Sequence, residues 1–114
     1  MDRVRARPGR TVRLRSDDRK NARTVTLLEL SLSHVIVSSE LTPEIGSELS
    51  VAIALKDRHL EFELPAVVAW HGEGELALAF EHLSARQSYG LVLAIELERQ
   101  AMRVASASAS RAAG

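Results

Sequence analysis

Cysteine is absent from the 114 residues, which excludes disulfides and thiolate metal ligands and gives no support to a secreted scaffold. Aromatic residues make up 4% of the chain, so a surface that stacks single-stranded bases has few platforms. The Arg-rich first residues have no apolar run behind them, so neither a signal peptide nor a membrane span is expected, and the expected location is the cytoplasm. Histidines are scattered at His34, His59, His71 and His82 with no helical i,i+4 pair, so no metal site is expected. The nucleophile elbow, the Walker A loop and the dinucleotide fingerprint are all missing. No reaction is suggested, and neither an enzyme nor a cofactor is expected.

What is present describes one ordinary domain, 46% hydrophobic and long enough to hold a single core. Its zero net charge conceals an asymmetry. Residues 1–23 carry nine bases and three acids, and the rest carry six bases and twelve acids. Clustered guanidiniums concentrate a positive field, so residues 1–10 read as a basic arm suited to an anion, with a solvating role as the plainer alternative.

Period-two alternation dominates the middle of the chain. Val12 and Leu14 alternate with arginines, and Arg23 to Leu30 returns as a Thr-, Val- and Leu-rich strand after a polar turn. His34 to Ser38 is β-branched. Leu49, Val51, Ile53 and Leu55 alternate with small or polar residues, and Leu60, Phe62 and Leu64 alternate with His59, Glu61 and Glu63. Pro65 marks an edge or a bulge, and Ala66 to Trp70 and Leu76 to Phe80 complete the set. Short strands with turns between them predict an all-β fold, a small antiparallel barrel over 11–83. Ser84 is a candidate N-cap for a helix over 84–104, in which Leu91, Ile95 and Met102 share a face and Gly90 is a weak point. The helix either docks on its own barrel or pairs with another copy in a homodimer. Residues 105–114 are low-complexity and expected to be disordered.

The segment Glu29-Leu30-Ser31-Leu32-Ser33-His34 resembles the signature of the PilZ family, in which Asp or Asn, any residue, Ser, two residues and Gly lead into a strand. Arg3 and Arg7 fit the family's two arginines separated by three residues ahead of the first strand. Arg19 and Arg23 share that spacing but lie too close to Glu29. Ala66 to Trp70 and Leu76 to Ser84 resemble the family's last two strands, so the likeness covers residues 3 to 98. It implies a six-stranded antiparallel PilZ-like β-barrel with a C-terminal α-helix. For members with intact motifs it implies binding of cyclic di-GMP, often as a stacked dimer.

On that resemblance the ligand-binding candidates are Arg3, Arg7, Glu29, Ser31 and His34, with Arg5 and Arg10 as weaker ones. Guanidinium forks suit phosphate oxygens and guanine O6 and N7. Here Glu29 lengthens the acid, Ser33 stands where a second glycine is common, and His34 replaces the motif glycine with a ring. Three readings follow. One is a regulatory module of cyclic di-GMP signalling whose ligand affinity is weak or lost and whose output runs through a protein partner. A second is a competent cyclic di-GMP receptor. A third is a nucleic-acid-binding barrel using the basic arm, against which the shortage of aromatics counts.

Overall fold

Each alternating strand has one apolar face to bury, and closing the sheet on itself gives all of those faces a common interior. The computed structural model describes residues 3–16, 22–55 and 58–113, with side chains as far as Val104. Its elements are β1 (Val4–Arg5), β2 (Thr11–Ser16), β3 (Ala22–Leu30), β4 (His34–Ser38), β5 (Glu48–Leu55), β6 (Leu60–Gly72), β7 (Glu75–Phe80) and α1 (Ala85–Ala113). The turns expected at residues 17–21, which include Arg19, and at 56–57 lie outside the described residues, as do the side chains of the tail.

Strands β3, β2, β5, β6, β7 and β4 follow one another around the sheet, and β3 pairs β4 to close a six-stranded antiparallel barrel; β1 lies outside the ring on β3. The alternating residues point inward as expected, with Leu14, Val35, Val51, Ile53, Leu64 and Leu78 among those buried in one core. Each such side chain contributes roughly 1.5–3 kcal/mol relative to exposure. On the outer face, β5 carries small residues at Ala52 and Ala54, across which β2 and β6 reach each other. Arg13 pairs with Glu61 and Arg15 with Glu63, so the carboxylates expected to be merely solvated form a charged ladder.

Pro65 does not end its strand, because β6 runs unbroken from Leu60 to Gly72. Within a strand, a residue's N–H and C=O point to the same side. The Pro65 carbonyl accepts from the Glu81 N–H just past the end of β7. The missing N–H therefore faces the side where the ladder has already stopped.

Ser84 caps α1. Its hydroxyl accepts from Gln87 N–H at 3.1 Å while the Gln87 side-chain oxygen accepts from Ser84 N–H at 2.8 Å, a reciprocal capping box. Gln87 also donates to the Glu63 carbonyl of β6. The helix docks on its own barrel, with Leu91, Ala94 and Ile95 in the common core. Gly90, the expected weak point, does not interrupt the helix. A Cβ there would lie 3.1 Å from the Phe62 ring, so the glycine lets the helix approach β6 closely. Two expectations shift. Met102 is exposed although its spacing from Leu91, Ile95 and Glu98 keeps it on their stripe, so the docked contact has ended by that turn. Helical backbone also continues to Ala113, past the end expected at Val104.

Candidate functional site

The rim at the end of β3 is built by a bulge. Leu27 pairs Val37 and Glu29 pairs Ile36, which leaves Leu28 as the extra residue. An inserted residue exchanges the two faces of a strand from that point on. Leu27 is inward before the bulge and Leu30 is inward after it, so Glu29 is turned outward instead of into the core. The bulge also frees the Leu28 carbonyl, which accepts from the Ala6 N–H at 3.0 Å. That bond, the β1–β3 pairing and the buried side chain of Val4 fix the arm onto the rim.

Beyond Leu30 the chain reverses through Leu32 and Ser33, with the Ser31 N–H donating to the His34 carbonyl at 2.9 Å. Ser31 is 1% exposed. Its hydroxyl oxygen accepts from Ser33 N–H at 3.1 Å and His34 N–H at 3.0 Å, and lies 2.9 Å from His34 Nδ1. On the other side of the ring, Nε2 is 2.9 Å from Glu29 Oε2. An ionised carboxylate only accepts, so the network assigns the proton to Nε2 and leaves Nδ1 to accept from the Ser31 hydroxyl. Arg3 Nε then stands 3.6 Å from Glu29 Oε1, with its side chain 60% exposed.

The string Ser31–His34–Glu29 has the composition of a charge relay, but Ser31 is no nucleophile. Both of its lone pairs already accept backbone N–H groups, and burial keeps a substrate away. The hydroxyl serves the turn, as such hydroxyls commonly do.

The candidates from the sequence therefore separate into two groups. Arg3, Glu29, Ser31 and His34 come together on the rim, with Arg5 exposed on β1 directly opposite Glu29 in register. Arg7 and Arg10 do not join them. Arg7-Pro8-Gly9-Arg10 forms a tight turn closed by Arg10 N–H on the Arg7 carbonyl at 3.2 Å. Gly9 takes φ +83°, the conformation a type II turn needs after proline. Both guanidiniums then meet Glu98 of α1. Glu98 Oε2 accepts from the Arg7 backbone N–H at 3.1 Å and from Arg7 Nε at 3.3 Å. Oε1 accepts from Arg7 Nη2 at 3.2 Å and from Arg10 Nε at 2.6 Å. Arg10 also donates to the Ala54 carbonyl at 3.1 Å. The Glu98 side chain is 2% exposed. Sequence reasoning missed this residue, although the Pro8-Gly9 turn and a lone acid on the apolar stripe of the helix were both legible.

His34 stands where the family pattern has glycine, and it accommodates the position with ordinary strand backbone as the first residue of β4. Among the described residues the left-handed non-glycine positions are His59, Glu73 and His82, so no positive φ is demanded of the imidazole.

With this geometry in place, comparison with known proteins decides the family. The model of the PilZ domain matches residues 2–97. The chain belongs to the PilZ family. Solved structures of similar fold include the PilZ domain of YcgR from Escherichia coli with c-di-GMP, at a TM-score of 0.70 and 17% identity, covering 91% of this chain and 94% of that one. The PilZ domain of CeSA from a cellulose-synthesizing bacterium gives 0.69 and 16%, covering 83% and 95%. The Bacillus subtilis inhibitor of motility, MotI/DgrA, gives 0.65 and 17%, covering 88% of this chain and 51% of that one. No curated protein matches. PilZ domains are regulatory binding modules rather than enzymes, and the barrel, β1 and the terminal helix of this chain are those of the PilZ fold. Among the described residues no helix is long and apolar enough to cross a membrane.

Proposed function

We propose that this PilZ domain is a regulatory module of cyclic di-GMP signalling whose own affinity for the nucleotide is weak or lost and whose output passes through a protein partner. The observation that carries this reading is the closed network on the rim. The Ser31 hydroxyl is fully used by the turn and by His34 Nδ1, and His34 Nε2 is taken by Glu29 Oε2. A guanine edge or a phosphate entering there must first break bonds already made, and the buried Ser31 hydroxyl left without a partner would cost about 1–3 kcal/mol. The imidazole also covers the approach that a glycine would leave open.

A competent receptor is the second reading. It is favoured by Arg3 and Arg5, which are exposed beside that network, Arg3 held only by a long, solvent-exposed pairing with Glu29. A nucleic acid is less well supported, since Arg13 and Arg15 are paired across the barrel with Glu61 and Glu63, which weakens the field that a phosphate backbone would use. For the partner, the outer surface of α1 offers Tyr89 at 68% exposure together with Val92 and Val104. A second copy of the chain is one candidate for that surface.

Isothermal titration calorimetry with cyclic di-GMP on the wild-type protein and on His34→Gly tests the reading. Weak or no heat with the wild type and clear binding with the variant is the expected result. Tight binding by the wild type would replace this reading with the receptor.

A further inference from the structure

We propose that the barrel mouth opposite the rim is a binding site for a free medium-chain acyl carboxylate, with the chain inside the mouth and the head group on Arg23. This goes beyond the nucleotide reading and does not depend on it. The two ends of the barrel are finished differently. Near the start of β6 the helix closes the barrel, with Leu91, Ala94 and Ile95 in the core and Gly90 against Phe62. At the other end β2 and β4 finish and β3, β5 and β7 begin. There Leu14, Leu49 and Leu76 line a cavity of about 710 Å³ together with Leu41 and Pro43 of the segment after β4. Barrel mouths are a recurring place for small-molecule sites, and this volume lies inside their range of about 300–1,000 Å³.

The lining selects the ligand class. Leucines supply most of the apolar wall, and no aromatic ring stands among the described residues of the lining. A flexible aliphatic chain packs against such a wall, whereas a base has no face to stack on. Leu41 is 38% exposed, an apolar side chain that a guest would cover. Arg23 is the one charged residue in the described lining. Among the described residues its side chain has no ion-pair or hydrogen-bond partner, whereas Arg7, Arg10, Arg13 and Arg15 are each held by a carboxylate. One guanidinium fork takes both oxygens of one carboxylate, so a single fork beside an aliphatic wall matches a monoanion with an apolar tail. Arg23 stands near the start of β3 and Glu29 near its other end. Occupation of the mouth therefore leaves the Ser31–His34–Glu29 network intact.

The test uses the full chain with decanoate and decanol as probes, both kept below the concentration at which they aggregate, and reads methyl shifts by NMR. Decanoate is expected to shift the methyls of Leu14, Leu49 and Leu76 and to leave those of Leu91 and Ile95, at the closed end, in place. From octanoate to decanoate, affinity is expected to rise about fourfold per added methylene, as burial of the chain requires. Arg23→Gln is expected to weaken decanoate binding about tenfold, the low end for a hydrogen bond to a charged group, and to leave decanol unchanged. Shifts centred on the rim or the closed end, or no shifts at all, overturn the site. Unchanged decanoate affinity in Arg23→Gln, or an equal loss for decanoate and decanol, overturns the assignment of the head group. Binding to phosphatidylglycerol vesicles in place of free decanoate overturns the free acid as occupant. Calorimetry of cyclic di-GMP on His34→Gly reports on the rim and succeeds or fails independently of these outcomes. The wild-type shift map decides the site even if the variant folds poorly.

Discussion

His34 Nε2 and Glu29 Oε2 are hydrogen-bonded at 2.9 Å, which makes one feature of two departures from the PilZ signature. The longer acid reaches the ring that replaces the glycine, and the ring in turn receives the Ser31 hydroxyl. Three motif positions thus support one another.

Coupling between those positions is measurable. Glu29→Asp withdraws the carboxylate from the imidazole, and His34→Gly removes the ring. In a double-mutant cycle on stability the pair is expected to couple by about 0.5–3 kcal/mol, the range for residues in direct contact. Urea denaturation of the two single variants and the double variant gives the number. Additive effects would mean that the bond contributes nothing.

Glu98 supports the docked arm and helix. Glu98→Ala is expected to lower stability by about 3–5 kcal/mol, as loss of one partner from a buried ion pair does. Arg13→Ala, at an exposed pair, is expected to cost no more than about 1 kcal/mol. Chemical denaturation of the two variants side by side checks the contrast.

At Gly90 helix propensity and packing oppose each other. Alanine gains up to about 1 kcal/mol of propensity, but its Cβ would stand 3.1 Å from the Phe62 ring, and overpacking costs about 1–3 kcal/mol. Gly90→Ala is expected to destabilise the protein. In a Phe62→Leu background the sign is expected to reverse. Melting temperatures of the four proteins decide it.

Ser84→Ala removes one half of the capping box and is expected to cost about 1 kcal/mol. The loss should appear as a lower melting temperature, with early fraying of the first turn of α1 in hydrogen exchange.

Much of this architecture is written in local pattern. The alternation of Leu49, Val51, Ile53 and Leu55 leaves only one face to bury, and Ser84 with Gln87 marks a helix start, because such signals depend on residues two to four apart. Membership of the PilZ family was legible in the order of short motifs along the strands. The rim was half legible. Arg3, Glu29, Ser31 and His34 were singled out together, but their mutual bonds depend on the bulge at Leu28, and no residue type announces an inserted position in a ladder.

The division between Arg3 and Arg7 belongs wholly to the tertiary structure. The sequence sets them four apart on an arm and treats them as equivalent. The Pro8-Gly9 turn and the docking of α1 bring Glu98 to Arg7 from the far end of the chain, at a separation of 91 residues. Local propensity determines which elements form, because backbone and neighbouring side chains act over a few residues. Which charges meet depends on where packing places those elements, and Coulomb attraction selects only among groups already brought within reach.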